Sequence, residues 1–88
     1  MITKVTAHFN KDISKLRDRK LILSVQKALK KIESARSLSE ISQIKKMEGT
    51  DNYFRLRVGD YRLGIYIEGN TVYAVRFLNR KEIYRYFP

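Results

Sequence analysis

The sequence contains no cysteine, no tryptophan, one histidine and one proline, which is the last residue, Pro88. Without cysteine there is no disulfide framework, no thiolate zinc site and no cysteine nucleophile. His8 is expected on the outward side of a first strand, so we expect neither a histidine-centred triad nor a histidine-rich metal site. No apolar run is long enough to span a bilayer, and the N-terminus lacks the apolar stretch of a secretory signal. We therefore expect a soluble cytoplasmic protein without membrane contact.

Acidic residues are also scarce, because 9 Asp and Glu face 19 Lys and Arg, giving a formal net charge of +10. A small domain that is kept soluble by charge usually carries a net charge of only about 2–8. The excess predicts a polyanionic or acidic partner, which RNA, DNA or an acidic protein would each satisfy. The 88 residues are 43% hydrophobic and 11% aromatic, too apolar for a disordered segment. We expect one domain over residues 1–88.

The first half of the chain predicts one strand and two helices. Residues 3–9 alternate like a half-buried strand, and Asn10 is a suitable N-cap for a short helix, with Asp12 in its first turn. Asp18 is a second N-cap, for a helix over about residues 19–35. That helix has one apolar stripe, with lysines on its other side. The stripe comprises Leu21, Val25, Ala28, Leu29 and Ile32.

The second half predicts an antiparallel meander. Residues 37–40 have the spacing of a capping box, and residues 41–47 are ambiguous between loop and strand. Strand-like stretches follow at 53–58, 61–68 and 71–78, separated by Gly-Asp and Gly-Asn, which are two-residue hairpin signals. Residues 80–87 could form a short helix or an extended tail. The predicted class is α+β, with a strand, two helices and a three-stranded meander in a curved sheet that carries the helices on one face.

Strand alternation predicts a basic face on this meander. Tyr53, Arg55 and Arg57 alternate with apolar residues in the first hairpin strand, and Arg62 faces the same way in the second. Further basic residues follow the last strand, with a tyrosine among them; they are Arg80, Lys81 and Arg85, beside Tyr84. Arginines interleaved with tyrosines are typical of surfaces that bind phosphates and stack on bases.

Other chemical constellations are weak. The glycines do not match a phosphate-binding loop, and no pair of carboxylates suited to acid–base work is visible. Glu48 remains a candidate lone base, and Lys20, Lys27 and Lys31 read as a solvated helix face. We expect no metal and no cofactor.

Three segments resemble the RelE/ParE toxin superfamily. They are KKMEG at 45–49, YFRLRVGDYRL at 53–63 and VRFLNRKEIYR at 75–85. The resemblance covers nearly the whole chain, and the second and third segments are its specific part. It implies a RelE-like fold and the toxin of a type II toxin–antitoxin pair, which enters the ribosomal A site and cuts the mRNA there.

The resemblance also implies a set of functional residues. The catalytic positions of the family fall on Arg55, Arg57, Arg62, Arg80 and Tyr84. The predicted RNA-binding residues are Arg76, Lys81, Arg85, Lys45 and Lys46. Asn79 stands where relatives often have histidine, and Leu78 where they have glycine, so the acid or base of the reaction is left open.

Two other functions compete with the ribonuclease. A ParE-like toxin has the same fold but poisons DNA gyrase, and a non-catalytic basic module would bind RNA or ribosomes and leave the message intact. The retained arginines and tyrosine favour the ribonuclease. The resemblance further implies an acidic cognate antitoxin, which agrees with the charge of +10.

Overall fold

A five-stranded sheet organises the protein, whose computed structural model describes residues 1–88. The strand order is β1-β5-β4-β3-β2, with β1 parallel to β5 and all other neighbours antiparallel. The strands are β1 (Ile2–Val5), β2 (Ile44–Lys46), β3 (Tyr53–Val58), β4 (Tyr61–Glu68) and β5 (Thr71–Asn79). The predicted α+β class is confirmed, and β2 resolves the ambiguous segment by adding a short edge strand to the meander.

Three α-helices and one 3₁₀ turn complete the fold. They are α1 (Ala7–Ser14), α2 (Arg19–Ser34), the 3₁₀ turn Leu38–Glu40 and α3 (Ile83–Tyr86). Residues of α1 and α2 pack on one face of the sheet, here called the inner face, and form the main core with it. Phe9, Val25 and Ile32 from the helices meet Leu63 and Ile65 of β4 there. None of the helices is both long and apolar enough to cross a membrane.

The second helix agrees with its sequence pattern. Asp18 accepts hydrogen bonds from the amides of Lys20 and Leu21 and so caps α2 as predicted. Within the apolar stripe, Val25 and Ile32 are fully buried. A clear N-cap and a single stripe of 3.6-residue period are both local signals, which explains the agreement.

The predicted first strand is present as β1, but its predicted end at residue 9 and the following cap at Asn10 were wrong. The strand ends at Val5, and Thr6 rather than Asn10 caps α1. The Thr6 hydroxyl accepts from the Phe9 amide and lies within hydrogen-bond distance of the Ala74 and Val75 carbonyls of β5. Thr6 therefore ends the pairing with β5 and starts the helix, and it places Phe9 in the core as a helical residue. His8 is exposed on α1 rather than on a strand.

The predicted capping box does not form, although a helical turn does. Ser37 makes no capping hydrogen bond, and its hydroxyl instead pairs with that of Ser39. The Glu40 carboxylate accepts from the backbone amide of Arg36, one residue before the expected donor. The 3₁₀ geometry of this turn shifts the reach of Glu40, so the reciprocal bonds of an α-helical box are lost.

The hairpin strands have the predicted register, and their alternation holds. Arg57 lies directly opposite Arg62 in the β3–β4 pair, and Leu56 lies opposite Leu63. Leu56, Val58 and Leu63 are buried on the inner face, so the arginines project from the opposite, outer face. Gly59 and Gly69 adopt positive φ angles of 60° and 59° in the two tight turns, as such hairpin turns require.

The outer face is partly covered by the end of the chain. Of the two forms considered for residues 80–87, the short helix is present as α3, and it is followed by Phe87. A second apolar cluster joins Met47, Ile83 and Phe87, each at most 6% exposed. The ring of Phe87 lies over Gly64 of β4, where an added Cβ would come within 2.8 Å of it. Gly64 therefore allows α3 to pack closely against the sheet.

Candidate active site

Arginines from both strands of the β3–β4 hairpin form the centre of the site. Arg57 and Arg62 are cross-strand partners, and Arg55, two residues before Arg57 in β3, is paired with Gly64. Arg55 and Arg62 are half-buried, whereas Arg57 is exposed. Like charges directly opposite each other destabilise a sheet. The repulsion between these arginines is not offset within the protein, because no acidic side chain forms an ion pair with them.

Arg62 is the most constrained of these arginines. One of its terminal nitrogens donates to the carbonyls of Gly59 and Tyr61, at 3.1 and 2.9 Å, so the tight turn holds the guanidinium in place. The pKa of Arg62 is lowered from its ordinary value, first because burial penalises the charged form and then because Arg57 and Arg55 repel it. A bound anion would offset the repulsion between the arginines, so Arg62 is a candidate centre for a phosphate site.

Tyr84 and Arg80 reach the same cluster from the chain that follows β5, beside the hairpin turn. The Arg55 guanidinium lies over the Tyr84 ring, 5.4 Å from its centroid. Tyr84 and Arg80 both lie in the electrostatic environment of Arg62, and the positive charge of Arg80 disfavours the charged form of Arg62. The backbone amide of Arg80 donates to the Asp60 carbonyl at 2.9 Å, which ties the chain after β5 to the hairpin turn. The structure thus brings all five predicted catalytic residues together; they are Arg55, Arg57, Arg62, Arg80 and Tyr84.

The predicted RNA-binding residues are placed less uniformly. Lys45 is exposed and pairs with Arg55 across β2–β3, so it extends the arginine cluster on the outer face. Lys46 pairs with Phe54 instead and faces Asp51 at 3.7 Å. Two further residues are exposed near or on α3; they are Lys81 and Arg85. Their contact with RNA stays a prediction.

Arg76 forms an ion pair with Asp12 of α1. Its Nε and one terminal nitrogen donate to the two carboxylate oxygens of Asp12, at 2.8 and 3.1 Å. This hydrogen bonding raises the pKa of Arg76. Asp12 also accepts a hydrogen bond from the Phe77 amide at 2.9 Å and is only 7% exposed. Because α1 begins at Ala7, Asp12 lies beyond the first turn of the helix, and its predicted role there was wrong. Arg76 further lies over the Tyr86 ring, at 5.9 Å, and so links α1, β5 and α3.

No carboxylate joins the arginine cluster. The Asn79 side chain accepts from the Lys81 amide at 3.0 Å and so shapes the turn after β5. No group of three or more His, Asp or Glu side chains is positioned to hold a metal ion. Tyr84, 62% exposed, is the group in the cluster that can both donate and accept a hydrogen bond.

A cleft of about 640 Å³ adjoins the arginine cluster between α2 and β3. Its floor includes Leu56 and Val58, and Lys27 and Lys31 stand along α2 at its edge. Arg57 belongs to both the cleft and the cluster. The two lysines, predicted to be a solvated face, therefore line a basic cleft with an apolar floor.

Two structural residues escaped the sequence reasoning. Asp12 lies 64 positions from Arg76, and no local pattern links them. Phe87 did leave a signal, because Ile83 and Phe87 are spaced i, i+4 and share one side of a helical turn. That spacing favours the helix over the extended tail, whereas the face of the sheet that the helix covers is visible only in the tertiary structure.

Comparison with known proteins places this architecture in a family. A family model described as the ParE toxin of type II toxin–antitoxin systems matches residues 3–84. The chain belongs to the RelE/ParE toxin superfamily. It is also 44% identical to toxin RelE3 of Methanocaldococcus jannaschii over 61 residues, which are 68% of this chain and 69% of that protein.

Solved structures of the superfamily share the fold. The toxin chain in the crystal structure of a RelB–RelE antitoxin–toxin complex from Methanococcus jannaschii has a TM-score of 0.79 and 34% identity, covering 97% of this chain and 99% of that one. An archaeal RelE–RelB complex from Pyrococcus horikoshii has a TM-score of 0.73 at 19% identity, covering 90% and 93%. This protein is therefore a RelE-like toxin of the type II toxin–antitoxin class.

Proposed function

We propose that this toxin is a ribosome-dependent endoribonuclease that cuts mRNA in the A site and thereby stops translation. The observation that carries the proposal is the arginine cluster around Tyr84, in which Arg62 is held by the turn and repelled by its neighbours. Fixed guanidinium groups on a water-accessible face suit the binding of a phosphate whose charge increases during reaction.

In the proposed reaction the 2′-oxygen forms a bond to the adjacent phosphorus and the bond from phosphorus to the 5′-oxygen breaks. The products are a 2′,3′-cyclic phosphate and a 5′-hydroxyl. Negative charge grows on the phosphoryl oxygens and on the leaving oxygen. We assign Arg62 and Arg80 to the phosphate, and Arg55 and Arg57 to the phosphate and the neighbouring backbone.

Proton transfer needs a different group, because arginine stays protonated and is a poor base. The proton leaving the 2′-hydroxyl and the one reaching the 5′-oxygen are assigned to Tyr84 or to groups that the ribosome supplies. General acid–base catalysis contributes about 10²–10⁴-fold to such reactions. Without a full set of these groups the toxin depends on positioning by the ribosome, so we expect little cleavage of naked RNA.

The test is primer extension on a defined message in a purified translation system, with and without ribosomes. We expect cuts within the A-site codon that disappear when ribosomes are omitted. Arg62→Ala should reduce cleavage by about 10²-fold or more, since it removes a group aimed at developing charge. Arg17→Ala is the matched control, because Arg17 is exposed and forms no ion pair or side-chain hydrogen bond. Equal cleavage by both variants would contradict the site assignment.

The two rival functions are separated by the same assay. A gyrase poison, the activity implied by a ParE-like relationship, would leave the message intact. It would cause the complex of gyrase with cleaved DNA to accumulate in a gyrase assay. Intact message without gyrase inhibition, but with ribosome binding, would indicate a non-catalytic binding module.

We also propose an acidic antitoxin as the cognate partner. Two superfamily structures are complexes of a RelE toxin with RelB, and the net charge of +10 agrees with an acidic counterpart. The cleft between α2 and β3, with its apolar floor and lysine edge, fits an amphipathic acidic segment. A neighbouring gene product that neither binds this toxin nor abolishes its toxicity would contradict the pairing.

A further inference from the structure

A row of three tyrosines crosses the outer face of the sheet. Tyr53 of β3 pairs with Tyr66 of β4, and Tyr66 pairs with Tyr73 of β5. The ring centroids are 4.9 and 6.2 Å apart along this tyrosine row (Tyr53, Tyr66, Tyr73), and all three residues are half-buried. The row ends at Lys4 of β1, which pairs with Tyr73 and is exposed.

The tyrosine row and the arginine cluster share one surface. Tyr53 precedes Arg57 by four residues in β3, and Tyr66 follows Arg62 by four residues in β4. At about 3.3 Å per residue, Tyr66 lies about 13 Å along the strand from Arg62, the residue assigned to the phosphate, whereas Arg55 of the cluster is about 7 Å from Tyr53. Phe87 lies between them, over Gly64 and edge-on to Tyr53 at 5.5 Å between ring centroids.

The charges around the row differ from those of the cluster. Lys4 is the basic residue paired with it, whereas Glu68 lies at the adjacent end of β4 and Asp51 in the turn before β3. Such surroundings favour bases over phosphates as ligands. Aromatic side chains stack on nucleic acid bases without strong sequence preference, and aromatic residues on an open sheet are a recurrent platform for single-stranded RNA.

We propose that the tyrosine row is a base-stacking subsite for the RNA strand whose phosphate is held by the arginine cluster. This inference rests on the proposed function and adds a second contact region to the same substrate. A strand fully stacked at about 3.4 Å per nucleotide needs about four nucleotides to span the 13 Å, and an extended one needs fewer. The row therefore engages nucleotides beyond the cleaved bond and lengthens the footprint on RNA.

The test compares binding of 2′-O-methyl RNA of two and of ten nucleotides, which lack the attacking hydroxyl; the dinucleotide is too short to reach the row from Arg62. Tyr73→Ala should weaken binding of the ten-mer about fivefold or more, the effect of losing one stacked base, and leave binding of the dinucleotide unchanged. The dependence of affinity on salt should not change, because no phosphate contact is lost. Tyr73→Phe should restore the affinity, whereas Lys4→Ala should reduce the salt dependence.

A second variant guards against misfolding of Tyr73→Ala. Because the chain has no tryptophan, Tyr73→Trp introduces a single tryptophan that can still stack and whose emission can be followed apart from that of the remaining tyrosines. Its emission should be quenched by the ten-mer and not by the dinucleotide. The subsite would be overturned if Tyr73→Ala bound the ten-mer with unchanged affinity and the ten-mer did not quench the emission of Tyr73→Trp. The proposed function would not be affected by that result.

Two other outcomes would also overturn it. Quenching of Tyr73→Trp by the antitoxin and not by RNA would assign the row to a protein interface. Failure of the unsubstituted protein to bind either oligonucleotide or the ribosome would overturn the proposed function together with the subsite.

Discussion

Replacing Asp12 should reveal how strongly one buried carboxylate ties α1 to β5. Asp12 is 7% exposed and accepts three hydrogen bonds, two from Arg76 and one from the Phe77 amide. Asp12→Asn keeps the shape but removes the charge that pairs with Arg76. Breaking a fully buried ion pair costs about 3–5 kcal/mol. Because the Arg76 side chain is 22% exposed, we expect about 2–4 kcal/mol here.

Urea unfolding followed by circular dichroism measures this loss. With a slope of about 1 kcal/mol per molar urea for a small protein, the midpoint should fall by about 2–4 M. Asp51→Asn is the matched control, since Asp51 is 96% exposed and faces Lys46 at 3.7 Å. That exposed pair should contribute at most about 1 kcal/mol.

A double-mutant cycle separates the ion pair from other effects of the substitution. In an Arg76→Met background, Asp12→Asn should lower the free energy of unfolding by less than it does in the unsubstituted protein, because no unpaired guanidinium remains. The reasoning would be refuted if Asp12→Asn cost no more than Asp51→Asn, or if the cycle showed no coupling.

Two further substitutions test the contacts that shape the site. Gly64→Ala should lower the free energy of unfolding by about 1–3 kcal/mol and reduce mRNA cleavage, because the new Cβ displaces Phe87 and with it α3. Adding Phe87→Leu to this variant should recover part of the stability. Additive losses in the double variant would contradict the contact. Thr6→Val should lower stability by about 1–2 kcal/mol, or several degrees in thermal unfolding, because the α1 cap and the link to β5 are lost together. Ser14→Ala, which removes an exposed hydroxyl bonded to the Lys11 carbonyl, is the control and should change the midpoint far less.

The parts of the fold that sequence patterns predicted are those with local causes. α2 begins after the Asp18 cap, and β3 and β4 have the predicted bounds because two-residue turns fix their register. The arginine face followed from the same alternation, since Arg57 and Arg62 both lie opposite to buried neighbours in the strands. The resemblance to a toxin family supplied the function, which periodicity alone did not.

The errors occurred where a distant partner decided between local options. Residues 3–9 alternate well enough for a strand, but the Thr6 hydroxyl contacts β5, 68 and 69 positions away, and starts α1 there. The cap predicted at Asn10 failed for the same reason. Phe87 was left between helix and tail because its contact, Gly64, is visible only once the sheet is formed.

By itself, the sequence determined the longest helix, the hairpin register and the face on which the arginines lie, because each depends on residues within a few positions of one another. Only the tertiary structure decided that Asp12 forms an ion pair with Arg76, that Tyr84 reaches Arg55, and that β1 pairs in parallel with β5. These contacts join residues far apart in the chain, and their free energy depends on burial and geometry that exist only after the core has packed.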